Sequence, residues 1–345
     1  MIDVDAYLAR YLAAVHDGDR REAIDVALAL VQQGISADRV ITDLLSRAQT
    51  EIGLGWQEGR WSVATEHRAS DITESALHAV VQNALSAPGA VREGSGSRVV
   101  VACSESEWHV LPGRMAAGVL RLRGFDVTFI GPSVPADELP GFLDDDLPGT
   151  VALTCSMPMS LVGAWRSISA LRAIGMTIVC GGRGFGSDGR WGLALGADHW
   201  APDFAAGADI LFSVLDDPTP APRQPAGAPE RIAEIRILSR MHETLVDEAT
   251  ESAWATWSVT PNSDAAMRET REGLAATLRV IAAATLVDDL SLVTEYAHWF
   301  GEVLAGRGLP RSFVSTSFEL LQGVLPPELA HANDAARGGV GALSI

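Results

Sequence analysis

Lysine does not occur in this 345-residue chain, so all 26 basic positions are arginine. Its absence excludes lysine Schiff-base chemistry and the phosphate-binding lysine of a P-loop. Cysteine is scarce: Cys103, Cys155 and Cys180 are widely spaced, each at the end of an expected strand, and neither a disulfide framework nor a zinc cluster is indicated. No apolar run reaches the roughly 18 to 20 residues of a membrane-spanning helix. The stretch Met1 to Asp5 is acidic and lacks the basic and apolar regions of a signal peptide, which gives the expectation of a cytoplasmic protein with no membrane partner. Positive charge is also short. A formal net charge of −18, with no basic run to offset it, opposes binding to a phosphate backbone and argues against nucleic acid as a partner.

What is present is globular: 47% hydrophobic and 20% charged residues, enough to bury a sizeable core in two or three domains. Residues 1–88 read as helices, with Leu8, Tyr11, Leu12 and Val15, then Ile24, Leu28 and Val31, then Val40, Leu44 and Leu45 at helical spacing. Gly18 and Gly34 punctuate them, and a loop holding Gly53, Gly55 and Gly59 is expected before Ser62, a plausible N-cap. A four-helix bundle is the economical architecture. After a linker, residues 97–216 alternate apolar strands and helices, with strands expected at 99–103, 126–130, 150–155, 177–180 and 197–200 and helices at about 112–123, 136–143, 161–174 and 204–215. That pattern argues for a flavodoxin-like, doubly wound parallel sheet of five strands, which binds ligands beyond its carboxyl edge. A Pro- and Ala-rich linker precedes residues 230–335, a third, all-helical domain of five or six helices.

Two histidine-bearing groups stand out. Trp56 is followed, after nine residues, by Glu66 and His67 in the bundle, and Glu107-Trp108-His109-Val110-Leu111-Pro112-Gly113 follows the first strand. Imidazole is a common metal ligand, and a carboxylate two residues away can accept the other ring N–H and so fix the tautomer. His109 is therefore the candidate metal ligand and Glu107 its supporting carboxylate. Thr154 and Ser156 after the third strand offer hydrogen bonds to a ligand's polar tail. Gly181 and Gly182 after the fourth allow close approach to the backbone.

These residues resemble the cobalamin-binding domain family, in which a helical bundle precedes a flavodoxin-like domain and a D-x-H-x-x-G loop supplies the lower axial histidine to cobalt. Here the loop has Glu107 for Asp and Pro112 for Gly, with Gly displaced by one position to Gly113. By that resemblance Trp108, Val110 and Leu111 belong to the cofactor loop, and Thr154, Ser156, Gly181 and Gly182 line the channel for the displaced dimethylbenzimidazole tail. The Trp56-x9-Glu66-His67 spacing is similar to that of light-sensing cobalamin proteins related to the carotenoid-gene repressors, where the Trp packs over the 5′-deoxyadenosyl group. The repressors' winged-helix domain is not seen, and a helical domain follows instead, a layout that looks like the photocobilins. The resemblance implies a non-enzymatic light sensor that binds adenosylcobalamin, changes oligomeric state in light and acts on an unidentified downstream effector. Its third domain would hold biliverdin, non-covalently because that domain has no cysteine. His242, Trp254, Trp257, Tyr296 and His298 are the candidate contacts there, aromatic rings for stacking and imidazoles for the polar groups; haem through His242 or His298 ranks below biliverdin. The competing reading is a corrinoid carrier subunit of a methyltransferase or mutase, which needs a substrate-binding barrel of about 250 residues from elsewhere.

Overall fold

The Asp3 side chain accepts from the Ala6 amide at 3.2 Å and starts α1 (Val4–Asp17), which ends on Gly18 in the left-handed conformation, φ 82°. α2 (Arg20–Gln32) begins in the same way, with Asp19 accepting from the Glu22 amide at 3.0 Å. The third rod of the bundle is α3 (Ala37–Val40), a π-helical stretch over Ile41–Ser46 and α4 (Arg47–Gln57). Ser62 caps α5 (Val63–Leu85), its hydroxyl accepting from the Thr65 amide at 3.1 Å. Tyr11, Val15, Leu30, Ile41, Leu44, Ile52, Ile72 and Leu77 fill the core between them. The glycine loop expected before Ser62 is shorter than its glycines suggest, because Gly53 and Gly55 lie inside α4. Gly55 is there to admit a ring: a Cβ on it would sit 2.9 Å from the Trp61 indole.

This computed structural model describes residues 3–87, 96–143, 149–216, 227–256 and 264–342, so most of both expected linkers lies outside the described residues. The second domain is a parallel five-stranded sheet of order β2-β1-β3-β4-β5. Its elements are β1 (Arg98–Cys103), α6 (Val110–Leu122), β2 (Asp126–Phe129), α7 (Leu139–Phe142), β3 (Thr150–Thr154), α8 (Leu161–Ala173), β4 (Thr177–Gly181), α9 (Arg190–Ala194), β5 (His199–Ala201) and α10 (Phe204–Asp216). Alternate β1 residues serve the two faces, Val99 and Val101 packing with α6 and α10, Val100 and Ala102 with α8. Chain direction across the sheet reverses between β1 and β3, so the crevice opens there, beside Cys103 and Thr154, which pair in register. Three details depart from the sequence expectation. α6 starts at Val110 rather than Pro112, the helix expected over 136–143 shrinks to the single turn of α7, and α9 was not anticipated.

The third domain consists of α11 (Pro229–Thr256), α12 (Asp264–Val287), α13 (Ser291–Gly306), α14 (Ser312–Val324) and α15 (Ala330–Gly341). Leu245, Val246, Leu278, Ile281, Tyr296, Phe318 and Leu321 form its interior, continuous with the α8 face of the sheet. Among the described residues no helix is long and apolar enough to cross a membrane.

Candidate cofactor-binding site

The turn from β1 into α6 is organised by one buried carboxylate. Glu107, 1% exposed, accepts from the His109 amide (2.8 Å), His109 Nδ1 (2.6 Å), the Ser156 amide (2.6 Å) and the Met157 amide (3.2 Å). Burial alone would raise its pKa, but the hydrogen bonds and charge of His109 with the Ser156 amide outweigh it and leave the carboxyl below its ordinary value. The same hydrogen bond raises the pKa of His109, against burial, with the charges of Glu107 and Glu66 adding to it. With Nδ1 committed to Glu107, the neutral imidazole presents Nε2 as the nitrogen free to bind a metal. His109 occupies the N-cap position of α6 and its side chain is 59% exposed, so the ring is both tethered and reachable.

Around it, Trp108 is 72% exposed, while Leu111 is buried in the core that α6 shares with the bundle and Val110 begins the helix. Thr154 Oγ1 donates to the Ala102 carbonyl at 3.4 Å and lies 3.3 Å from where a Gly113 Cβ would be. Ser156 reaches the site through its amide, as the donor to Glu107. Gly182 has φ 107°, and a Cβ on it would collide with the Cys155 carbonyl; Gly181 has more room, its nearest neighbour the Ala201 carbonyl at 3.6 Å. Met157 and its amide carried no signal in the sequence, since only the folded β3–α8 loop brings it to Glu107.

From the bundle side, Glu66 accepts from the Ser70 hydroxyl at 2.8 Å and lies 3.5 Å from His67 Nε2. Its negative charge adds to the raised pKa of His109, so the bundle carboxylate is within electrostatic range of the imidazole. Trp56 stands in the last turn of α4, and its ring centroid is 6.3 Å from that of Trp299 on α13. The Arg307 guanidinium lies over the Trp56 ring at 4.6 Å, within cation–π range. Backbones meet beside these rings: a Cβ on Gly306 would be 2.6 Å from the Gln57 carbonyl, and one on Gly59 would collide with Gly306. Nothing in the sequence pattern announced that Trp299 and Arg307 belong with Trp56.

Four of the five third-domain candidates lie among the described residues, two on α11 and two on α13. His242 and Trp254 share α11, and their ring nitrogens Nε2 and Nε1 are buried without a hydrogen-bond partner. Burial lowers the pKa of His242, with Arg279 and Arg271 adding and Glu243 opposing. Tyr296 is part of the core, packed on Trp299, Phe300 and Phe318, with its hydroxyl 3.2 Å from Thr277 Oγ1. His298 is exposed on α13, and Trp257 lies outside the described residues.

Comparison with known proteins accords with the geometry. Residues 7–80 match one family model described as a B12 binding domain, and residues 97–207 match a second with the same description. A monomethylamine corrinoid protein of Methanosarcina barkeri superposes with a TM-score of 0.51 at 14% identity, covering 61% of this chain and 100% of that one, and so shares its fold. The methanol:cobalamin methyltransferase complex of the same organism gives 0.33 at 19% identity (63% of this chain, 82% of that one). A cobalamin-binding protein of Desulfitobacterium hafniense gives 0.33 at 18% (62% and 98%). No match was found among curated proteins. The two domain matches support cobalamin as the cofactor of the first two domains.

Proposed function

We propose, from the premise that bundle and sheet together form a cobalamin-binding unit, that this chain is a non-enzymatic light sensor whose third domain responds to the state of the cobalamin upper face. The residues fit the group: a carboxylate-tethered imidazole with a free Nε2, and glycines that keep the strand ends narrow. His109 would hold cobalt from below, Thr154, Ser156, Gly181 and Gly182 would border the nucleotide tail, and Trp56, Glu66 and His67 would meet the upper ligand. Bound adenosylcobalamin supplies a cobalt–carbon bond that visible light breaks.

The single observation that carries the sensor reading is the contact of Trp56 with Trp299 and Arg307. An indole that shields an upper ligand on one side and touches another domain on the other has two neighbours competing for its position. Loss of that ligand would strip Trp56 of apolar cover, and a change in its packing would be passed to Trp299 and Arg307. Such a ligand-dependent difference in contacts is what a two-state element requires. The Trp56-x9-Glu66-His67 spacing supports light as the trigger. Signal would leave through a changed homo-oligomeric state to a downstream effector, in the cytoplasm. The buried, unpartnered nitrogens of His242 and Trp254 support biliverdin in the third domain: the indole N–H can donate to its carboxylate or lactam oxygens, and the imidazole Nε2 can donate or accept according to its tautomer.

A second reading, the corrinoid carrier of a methyltransferase or mutase, is the one that the fold shared with the monomethylamine corrinoid protein favours. A carrier must offer its upper face to a separate substrate-binding subunit, whereas here Trp56 already has a neighbour within the chain. The deciding experiment is to load the protein in the dark with adenosylcobalamin and biliverdin, desalt it, and record absorption and size-exclusion elution before and after green light. The sensor reading expects retained cobalamin, a photolysis shift and a changed elution volume, with a red band if the bilin is held. Photolysis with an unchanged elution volume contradicts it in favour of the carrier, and no retained cobalamin contradicts both.

A further inference from the structure

The carboxylate of Glu66 is not held by the bundle at random. Gln49 Nε2 donates to Ser70 Oγ at 2.6 Å, and Ser70 Oγ donates to Glu66 Oε1 at 2.8 Å. An ionised Glu66 can only accept, so the single Ser70 proton is spent on it and Ser70 can only accept from Gln49. That order fixes the amide: its NH2 faces Ser70, and its carbonyl must look elsewhere. Gln49 Oε1 is indeed buried and has no hydrogen-bond partner. A buried unpaired acceptor costs stability, so one that is kept calls for a donor, and beside a ligand pocket a bound ligand can supply it. Gln49 and Trp56 are both in α4, seven residues apart, which places them on one face two turns from each other.

We infer that Gln49 is a further residue of the upper-ligand pocket: its amide positions Glu66 through Ser70, and its Oε1 accepts an N–H or O–H of a nucleoside-bearing upper ligand. This rests on the reading that the bundle covers an adenosyl group. An adenine amino group or ribose hydroxyl can satisfy Oε1, whereas a methyl group cannot. A site built to hydrogen-bond a ligand's polar group rejects an analogue lacking it more strongly than an apolar pocket can, since the unpaired group persists in the wrong complex. Trp56 would supply apolar cover and Gln49 the discrimination between adenosyl and methyl.

The test is equilibrium dialysis in the dark of the full-length protein, its Gln49→Met variant and its Gln49→Leu variant against adenosylcobalamin and methylcobalamin separately. Both substitutions keep roughly the volume and remove the acceptor; two shapes are used so that a packing defect in one does not decide the result. The expected outcome is that the preference for adenosyl over methyl falls about tenfold in the variants, with methylcobalamin affinity unchanged. A merely structural role would weaken both cobalamins alike. A wild-type protein that prefers adenosylcobalamin, with variants showing the same preference, overturns the inference and leaves the proposed function standing. A wild-type protein that retains neither cobalamin overturns the proposed function and this inference with it.

Discussion

Glu107 gathers four donors from two stretches of chain, so replacing it removes more than one contact. In Glu107→Gln the charge is lost and the amide NH2 meets a backbone donor whichever way it turns, the His109 amide on one side or the Ser156 and Met157 amides on the other. Losing the charge-assisted hydrogen bonds of this buried carboxylate and leaving backbone donors unpaired should cost about 3 kcal/mol, read as a lower urea midpoint for the cofactor-free protein. His242 gives a pH-dependent counterpart. Its folded pKa lies below the ordinary 6.5, so the unfolded chain binds the proton more readily. The contribution of His242 is fully present above pH 6.5 and is lost as pH falls from there through the folded value. His242→Leu should flatten the fall in thermal midpoint between neutral and mildly acid pH; an unchanged slope would place the titration elsewhere. At this scale the sequence was readable where partners are adjacent. Glu107 and His109 are two residues apart, and their hydrogen bond follows from local geometry, whereas Met157, Ser70 and Arg307 join their partners only through the tertiary fold.

Among the elements, the rod that ends in Trp56 shows what patterning can and cannot convey. Apolar spacing located the bundle helices, because Val40, Leu44 and Leu45 repeat with the period of a helix face, although it could not reveal the π-helical stretch over Ile41–Ser46. Gly53 and Gly55 read as loop residues since glycine most often marks a break, yet Gly55 sits within α4 to accommodate Trp61. Gly59 is a true break: its φ is 72°, and the absent side chain lets the α4–α5 turn touch Gly306 at the end of α13. Gly59→Ala should therefore cost about 2 kcal/mol from the left-handed backbone and the collision together. Limited proteolysis should show faster cleavage between the second and third domains, while cobalamin binding survives. Equal protection of variant and wild type would mean that the α4–α13 contact contributes nothing to docking.

Beside the apolar core that the third domain shares with the α8 face of the sheet, two further clusters of described side chains tie it to the other domains. One is the Trp56, Trp299 and Arg307 cluster, and the other lies on the sheet domain, where Asp289 accepts from Trp191 Nε1 at 2.8 Å and from Arg190 Nε at 3.0 Å. Arg190 also reaches Ser291 at 2.9 Å and Glu295 at 3.0 Å. Asp289→Ala leaves the buried Trp191 indole without an acceptor, an expected loss of about 2 kcal/mol in denaturant unfolding. Domain order and the parallel sheet were legible because alternating strands and helices admit few topologies. The docking of the third domain was not, since it depends on side chains from α4, α9 and α13 that share no sequence period. The account stands or falls on whether the third domain feels the upper face. Hydrogen exchange of the adenosylcobalamin-loaded protein, measured in the dark and again after illumination, tests this directly. Faster exchange in both α4 and α13 after light is the predicted result; a change confined to the bundle and sheet, with α13 unaltered, would contradict it.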